Sequence, residues 1–417
     1  MATQGNHRLP VTEKITQWFR DNFRIPLGVK IAICVFPVVL TGLFYALRSS
    51  KAAIDWVVTY ISSPVRGFLG WLSSIYPFAV MEIVCTAAGI FFIYYIIKAI
   101  LDTSRRREKW KLLGKRLLPV LFAIFYIWGL FSWLWSSGYH ATGFAERNGF
   151  SNDGIARDDL IAVTAFFADK TNELAELVER DEEGRYIADR RTMFAESTGI
   201  YKNISREFPD LEGRVYAPKS MIYSWLMSVT GYSGMYFALT GEAMINTHPP
   251  GVFMPATVAH EHAHQLGVFA EDEANFVGML ACITSDNLTF EYAGYMLGLS
   301  YLLNALMYSN PLASSPCEEW IEITGNMSYY VQVDRYENAV FWSTRTTVST
   351  GINFLDNILT AVAETTNDAV NTIYDGYLRS QNQELGIRSY GACVDLLVLY
   401  FADIAAEHFF VEPDDES

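Results

Sequence analysis

The sequence predicts a mainly α-helical protein, in which three N-terminal transmembrane helices precede a mostly helical extracytoplasmic domain with a small edge sheet. The first observation is composition: 51% of the 417 residues are hydrophobic and 15% are aromatic, which is typical of chains with membrane segments. The second is charge, because residues 1–138 hold 16 Lys and Arg against 6 Asp and Glu, whereas residues 139–417 hold 15 against 40. A basic, apolar front and an acidic rear indicate a membrane anchor joined to a soluble domain, and the acidic rear argues against nucleic acid as a partner.

Three apolar runs are long enough to cross a bilayer, since each supplies about 20 mostly apolar residues. The first run follows a polar tail with several Lys and Arg and shows no small-residue cleavage site. This pattern predicts an uncleaved anchor and not a removable signal peptide. The predicted spans are residues 28–48, 79–101 and 117–137.

The short loop between the second and third spans sets the predicted orientation. Residues 103–116 read TSRRREKWKLLGKR, with seven Lys and Arg in 14 positions, and such a short basic loop stays cytoplasmic. Three spans then make residues 1–27 a cytoplasmic tail, residues 28–138 the membrane anchor and residues 139–417 an extracytoplasmic domain. The sequence therefore predicts a multi-pass protein of the plasma membrane whose rear domain faces away from the cytoplasm.

Four further segments have apolar patterns that predict their place in the fold. Residues 52–75 are apolar but are broken by a proline and a glycine, which predicts a helix pair in the plane of the outer leaflet, with a re-entrant loop as the alternative. Residues 289–308 and 391–401 are predicted as core helices, because the first contains polar residues and the second is too short to span. Residues 234–246 surround a Thr-Gly turn and predict an edge strand. Helices are also predicted over residues 156–180, 270–286 and 352–380.

The stretch HEHAH at residues 260–264 contains three of the seven histidines of the chain. On a helix, positions i and i+4 lie one above the other, so His260 and His264 can share one metal ion. Glu261 lies about 100° round the helix, where its carboxylate can hold a water molecule without binding the metal itself. His262 points away from this pair and is predicted to face solvent or to pack.

The acidic run that follows offers the third metal ligand that a catalytic zinc site needs. Gly267 is a natural helix terminator, so a second helix is predicted to begin near residue 270. Glu271 and Asn275 then lie on one face of that helix, which favours Glu271 as a ligand and Asn275 as an acceptor for a ligand histidine. Glu273 stays the alternative ligand. The neighbouring Asp272 is predicted to cap the N-terminus of the helix or to place a favourable negative charge there.

These residues resemble the gluzincin metallopeptidases, in which His-Glu-x-x-His precedes a helix with a ligand glutamate. By position, the resemblance implies that His260 and His264 are ligands of Zn²⁺, that Glu261 is the general base and that Glu271 is the third ligand. Asn275 stands where that group has an acid that supports a ligand histidine.

The whole chain also resembles a bacterial membrane family of unknown function whose motifs suggest zinc peptidases. In that family three N-terminal spans precede blocks that here read Thr240-Gly241-Glu242, residues 260–264 and residues 271–275, and a later block reads Ser389-Tyr390-Gly391. The two resemblances imply a zincin-like α+β domain, a zinc cofactor and a peptide or protein substrate.

The function expected from these observations is hydrolysis of peptide bonds by a zinc-dependent membrane enzyme with Glu261 as general base. An extended substrate is expected to lie along the predicted edge strand. A second group must stabilise the oxyanion, and His248 lies in a loop that could touch substrate. The candidates for the oxyanion are Tyr292, Arg388, Tyr390 and His408.

Two other classes of protein compete with this interpretation. An intramembrane protease would have His-Glu-x-x-His inside a spanning helix, but the flanks of residues 260–264 are too short and too polar for that. A non-catalytic membrane sensor or scaffold with a structural zinc site would not need Glu261, because a structural site fills its fourth position with a protein ligand.

Overall fold

The computed structural model describes residues 26–104, 109–150, 154–309, 315–347, 349, 352–381 and 383–410. This part of the chain is mainly helical and contains one three-stranded sheet, which confirms the predicted mainly α class. The predicted tail at residues 1–27 lies almost wholly outside the described residues, as do four basic-loop positions, 105–108.

The front of the chain forms five helices that include the predicted anchor. The first helix, α1 (Leu27–Leu47), packs along α5 (Lys109–Leu134), and α4 (Val80–Ser104) also contacts α5. A single π-helical turn, Val58–Ser62, joins α2 to α3 without a break. The bounds are α1 Leu27–Leu47, α2 Lys51–Val57, α3 Ser63–Ser74, α4 Val80–Ser104 and α5 Lys109–Leu134.

Within the described residues, three helices are long and apolar enough to cross a membrane, namely Val80–Thr103, Arg116–Leu134 and Gly386–Phe409. The first two coincide with the spans predicted over residues 79–101 and 117–137 and are candidate spans by length and composition. The span predicted over residues 28–48 forms a helix, but its uninterrupted apolar part, Ile31–Leu47, is shorter than the other candidates.

The third candidate, Gly386–Phe409, covers the segment predicted as a core helix. Its last helix, α17 (Cys393–Phe410), buries Leu397, Val398 and Phe401 in the core of the rear domain. Length and composition alone therefore mark it as a candidate span, whereas its packing agrees with the predicted core helix.

The segment predicted as an in-plane helix pair is α2 and α3. Its outward face is aromatic and exposed, with Trp56, Phe68 and Trp71 among its residues. The inward face of α3 is small or polar, whereas that of α2 is aliphatic, and Ser73 Oγ of α3 donates to the Thr240 carbonyl at 2.8 Å. This amphipathic division suits a helix at a membrane surface and places its polar side against the rear domain.

The start of α4 is fixed to the sheet of the rear domain by carboxylates. Glu242 accepts the backbone N–H of Val80 at 2.8 Å and the Lys219 ammonium at 2.6 Å. Glu82 in the first turn of α4 accepts the N–H of Ile222 at 2.8 Å. The anchor and the rear domain therefore share a polar, hydrogen-bonded boundary.

The rear domain contains twelve described helices, and the largest of three hydrophobic clusters lies within it. The core is formed mainly by α7, α11, α12, α13 and α17, which pack on one another. The predicted helices over residues 156–180, 270–286, 289–308 and 352–380 are all present. The bounds are α6 Phe144–Arg147, α7 Arg157–Ala175, α8 Arg190–Glu196, α9 Ile204–Glu207, α10 Ser224–Thr230, α11 Met254–Leu266, α12 Glu271–Ile283, α13 Leu288–Met307, α14 Glu318–Gly325, α15 Tyr329–Thr344, α16 Asn353–Ser380 and α17.

The sheet is small and has the strand order β1-β3-β2, with β1 Lys219–Ser220, β2 Gly234–Phe237 and β3 Glu242–Ile245. β1 runs parallel to β3, and β2 runs antiparallel to it. The extended segment predicted over residues 234–246 is thus a hairpin. Only its first half, β2, is an edge strand, because β3 pairs on both sides.

Candidate metal centre

A tight turn connects the two helices that form the centre, α11 and α12. Gly267 ends α11 with φ 97°, a left-handed conformation that glycine adopts without strain. The Val268 N–H donates to the Ala263 carbonyl at 3.0 Å and closes the helix end. A Cβ on Gly278 of α12 would lie 2.9 Å from the His260 backbone nitrogen, so this glycine lets the helices approach closely.

His260, His264 and Glu271 form a buried cluster that could hold a metal ion. One ligating atom from each lies within 4.8 Å of the other two. Glu271 Oε2 lies 3.3 Å from His260 Nε2 and 3.5 Å from His264 Nε2. Two ligands at about 2.0–2.1 Å from a tetrahedral ion are about 3.4 Å apart, so these separations fit one shared ion.

A hydrogen bond at Nδ1 orients the His264 ring so that Nε2 faces the cluster. His264 Nδ1 lies 2.7 Å from the Val268 carbonyl oxygen. Because a carbonyl oxygen only accepts, Nδ1 carries the proton and Nε2 presents its lone pair to the cluster. The Trp135 ring, just after α5, packs perpendicular to the imidazole at 5.1 Å between centroids.

The carboxylate of Glu271 is held by two tyrosines from distant parts of the chain. Its Oε1 accepts from the Tyr374 hydroxyl at 2.9 Å and from the Tyr139 hydroxyl at 3.3 Å. Oε2 has no hydrogen-bond donor among the described residues and faces the two histidines. Burial acts to raise the pKa of Glu271, but the adjacent His264 and His260 imidazoles lower that pKa well below its usual value.

Glu261 lies beside the cluster without joining it. Its side chain is buried, and Oε2 has no hydrogen-bond partner among the described residues. Burial raises the pKa of Glu261 to about 8, an effect that His260 opposes and Glu271 strengthens. The backbone of β2 passes so close that a Cβ on Gly234 would lie 2.5 Å from Glu261 Oε1. The carboxyl group therefore lies between α11 and the edge strand.

The sequence of the chain matches a known protein family. A family model described as "Protein of unknown function (DUF3810)" matches residues 58–398. The chain belongs to this family. The matched range runs from the π-turn before α3 to the first part of α17, so it includes every group of the candidate centre. No curated protein and no solved structure matches the chain.

Glu273 of this DUF3810 protein does not reach the cluster. Its two carboxylate oxygens accept the backbone N–H groups of Phe144 at 2.8 Å and Ala145 at 2.9 Å. The carboxylate thus satisfies N–H groups at the start of the short helix α6, which have no partner within the helix. The structure therefore brings Glu271, and not the alternative Glu273, to the two histidines.

Two neighbouring polar residues pack into the interior. His262 is fully buried, which lowers the pKa of its imidazole to about 4 and keeps the ring neutral. Of the two predicted placements of His262, packing and exposure to solvent, the structure has packing. Asn275 lines the same cavity as Glu261 and donates to the Tyr301 hydroxyl at 3.1 Å.

The candidates for the oxyanion-stabilising group lie elsewhere in the described part of the chain. The Tyr292 hydroxyl donates to Asp334 at 2.6 Å, within the buried ion pair that Asp334 makes with Arg180. His408 Nε2 lies 3.6 Å from Asp169, between α17 and α7. Neither side chain lines the cavity beside Glu261, because each is engaged in a contact between two helices.

Arg388 and His248 also lie outside the cavity. Arg388 is exposed, and the side chain of Tyr390 lies outside the described residues. His248 Nδ1 is 3.1 Å from the Ser228 hydroxyl, and its ring packs on Phe341. This packing makes His248 a structural residue of the loop before α11.

A tyrosine that the sequence did not suggest faces the cluster. The Tyr232 hydroxyl is buried and has no hydrogen-bond partner among the described residues. It lines one cavity with His260 and Glu261, and its ring packs perpendicular to Tyr374 at 5.5 Å. Burial raises the pKa of Tyr232 to about 12, and the Glu271 charge adds to that rise. The hydroxyl therefore stays a proton donor.

The predicted anchor places a buried arginine at the end of α11, the helix that contains His260 and His264. Arg66 of α3 donates through Nη1 to the His264 carbonyl at 3.1 Å. Its guanidinium also stacks over the Phe269 ring at 4.5 Å from the centroid. A cation at the carbonyl end of α11 is favoured by the helix dipole. No pattern in the sequence connects two positions so far apart.

Proposed function

We propose that this DUF3810 protein is a membrane-anchored, zinc-dependent peptidase. In this proposal His260, His264 and Glu271 hold Zn²⁺, and Glu261 is the general base. The observation that supports it most strongly is the convergence of three buried ligating atoms beside a fourth, separate carboxyl group. A catalytic zinc site has three protein ligands and one open position, and a cluster of three ligating side chains supports such a site.

The residues of the chain fit a Zn²⁺ ion by their chemistry. Glu271 Oε2 is a buried acceptor without a hydrogen-bond donor among the described residues, and it faces two imidazole nitrogens. A bound zinc ion supplies a Lewis acid and lowers the pKa of a coordinated water to about 7. Tyr374 and Tyr139 hold the Glu271 carboxylate, and the Val268 carbonyl holds the His264 ring.

Glu261 and Tyr232 provide the proton transfer and the charge stabilisation. Glu261 accepts a proton as water attacks the substrate carbonyl, and it then passes the proton to the leaving amine. The Tyr232 hydroxyl donates a hydrogen bond to the oxygen that becomes negative. Its burial and the lack of a hydrogen-bond partner among the described residues support this role. The extended substrate lies against β2 and adds a strand to the edge of the sheet.

The same proposal places the protein in a membrane. α1, α4 and α5 cross the bilayer, the basic loop between α4 and α5 stays in the cytoplasm, and the rear domain lies outside. The aromatic face of α2 and α3 rests in the outer leaflet. This orientation, the plasma-membrane location and a zincin-like fold around α11 and α12 are parts of the proposal.

The full-length protein, purified in detergent micelles and loaded with zinc, tests the catalytic role. We expect hydrolysis of a mixed peptide library, measured by mass spectrometry. The Glu261→Gln variant should lose activity about 10²–10⁴-fold and keep its zinc, whereas Glu212→Gln, an exposed residue, should match the wild type. Tyr232→Phe should lower kcat by about 10²–10³-fold with little change in KM.

The alternative is a non-catalytic sensor or scaffold with a structural zinc site. Two results would favour it. One is a zinc-loaded wild type that cleaves no peptide, and the other is a Glu261→Gln variant as active as the wild type. Either result would overturn the peptidase assignment.

A further inference from the structure

A cavity of about 450 Å³ opens beside Glu261 and His260. This volume lies in the range of about 300–1,000 Å³ that is usual for ligand pockets. The start of β2 and α11, α12, α13, α15 and α16 all contribute to its walls. The cavity is therefore continuous with the candidate metal centre and large enough for a bulky side chain with some of its backbone.

The walls of this cavity contain almost no charge. Glu261 is the only carboxylate among the lining residues that the structure describes, and no Lys or Arg is among them. The other lining side chains are the His260 imidazole, aromatic or aliphatic groups, and neutral hydroxyls or amides. The aromatic and amide members are Tyr232, Phe253, Asn275, Tyr301, Asn338, Trp342, Asn371 and Tyr374.

The neutral character of the cavity contrasts with the charge of the protein. The chain has a formal net charge of −15, which would attract cationic ligands over long distances. A Lys or Arg side chain inside the cavity would nevertheless lose its hydration and find only Glu261, whose carboxyl is assigned to proton transfer. A carboxylate would find no Lys or Arg among the described lining residues. Burial of an unpaired charge is costly, so the walls select against both signs.

The amides of the walls are held by neighbouring polar groups. Asn338 Oδ1 accepts from the Trp342 indole N–H at 3.0 Å. Asn371 Nδ2 donates to Asn367 Oδ1 at 3.2 Å. These bonds orient Asn338 and Asn371 in the wall opposite α11, where they are suited to neutral polar groups of a bound chain, such as peptide amides.

We infer that this cavity is the pocket for a large uncharged side chain, aromatic or long and aliphatic, next to the bond that is cleaved. The inference rests on the proposed peptidase function and specifies the substrate class of the same site. Peptides with a charged residue at that position are poor ligands even when their overall charge is positive.

Peptide binding tests the pocket separately from catalysis. The zinc-loaded, full-length Glu261→Gln protein is titrated in micelles with fluorescent eight-residue peptides of Gly and Ala. Each peptide has one guest residue, Phe, Leu, Lys or Glu, and the guest is moved through every position. At one position, Phe and Leu should bind at least about tenfold more tightly than Lys and Glu, as measured by fluorescence anisotropy.

A single charge placed in the wall sharpens the test. Asn338→Asp, made in the same Glu261→Gln background, keeps an oxygen acceptor for Trp342 and adds a negative charge. It should improve the binding of the Lys guest relative to Phe by about tenfold. Asn304→Asp on the exposed side of α13 is the matched control and should leave the preference unchanged.

The outcomes separate this inference from the proposed function. Equal binding of charged and neutral guests, no peptide binding at all, or equal profiles for the two Asp variants would overturn the pocket assignment. Neutral-selective binding to a wild type that cleaves no peptide would support the pocket and overturn the peptidase assignment. Cleavage of peptides without a neutral preference would do the reverse.

Discussion

Replacement of Tyr374 by phenylalanine should weaken zinc binding without removing a ligand. The Tyr374 hydroxyl donates to Glu271 Oε1 at 2.9 Å, and the second donor, Tyr139, is more distant at 3.3 Å. A hydrogen bond to a charged group contributes about 1.5–3 kcal/mol. Loss of a group that orients a metal ligand lowers metal affinity about 10–100-fold, or about 1.4–2.7 kcal/mol. Because its bond is shorter, Tyr374→Phe should have a larger effect than Tyr139→Phe.

The measurement is a competition titration of full-length protein in micelles against a chromophoric chelator of known zinc affinity. Tyr377→Phe on the same helix is the control, because its hydroxyl pairs with Ser136 at 3.1 Å and not with Glu271. An unchanged zinc affinity in Tyr374→Phe would show that the hydrogen bond from Tyr374 to Glu271 does not support zinc binding. So would an equal loss in Tyr377→Phe, because the effect would then come from helix packing.

Two further substitutions test other parts of the site. Gly234→Ala places a Cβ 2.5 Å from Glu261 Oε1, so zinc should be retained while kcat/KM falls about 100-fold; Gly325→Ala, with nothing within 4 Å of its Cβ, should leave kcat/KM unchanged. Arg66→Gln removes the guanidinium from the carbonyl end of α11 and should lower the free energy of unfolding by about 2 kcal/mol, seen as a lower Tm in micelles. Exposed Arg214 gives the control variant Arg214→Gln, and equal Tm values for the two would contradict this role.

The sequence predicts the local features of the site well because they follow from helix geometry. His260 and His264 come together through the i, i+4 relation alone. Gly267 ends the first helix, and α12 then brings Glu271 to the histidines. Five longer helices of the rear domain follow from apolar spacing in the same way, namely α7, α12, α13, α16 and α17.

The sequence does not predict which distant side chains complete the site. Tyr139 and Tyr374 are more than 200 positions apart and meet only at the Glu271 carboxylate. Tyr232 lies in a glycine-rich turn with no distinctive pattern, and Arg66 lies in a segment whose apolar residues indicate only a membrane surface. Such contacts depend on how helices pack, and a single sequence does not determine packing.

The predicted division between anchor and rear domain shows the same limit. Hydropathy changes near residue 138, but Trp135 packs on His264 just before that point and Tyr139 bonds Glu271 just after it. The centre is therefore assembled from both sides of the change in composition. For this reason each experiment uses the full chain.

The zinc content of the purified full-length protein is the most direct test of whether His260, His264 and Glu271 bind zinc. The wild type and the variants Glu271→Ala and Glu273→Ala are compared by mass spectrometry of the metal after gel filtration without chelator. We expect one zinc per chain in the wild type and in Glu273→Ala, and a large loss of zinc in Glu271→Ala. A folded wild type without zinc, or zinc that is lost with Glu273→Ala and retained in Glu271→Ala, would contradict this expectation.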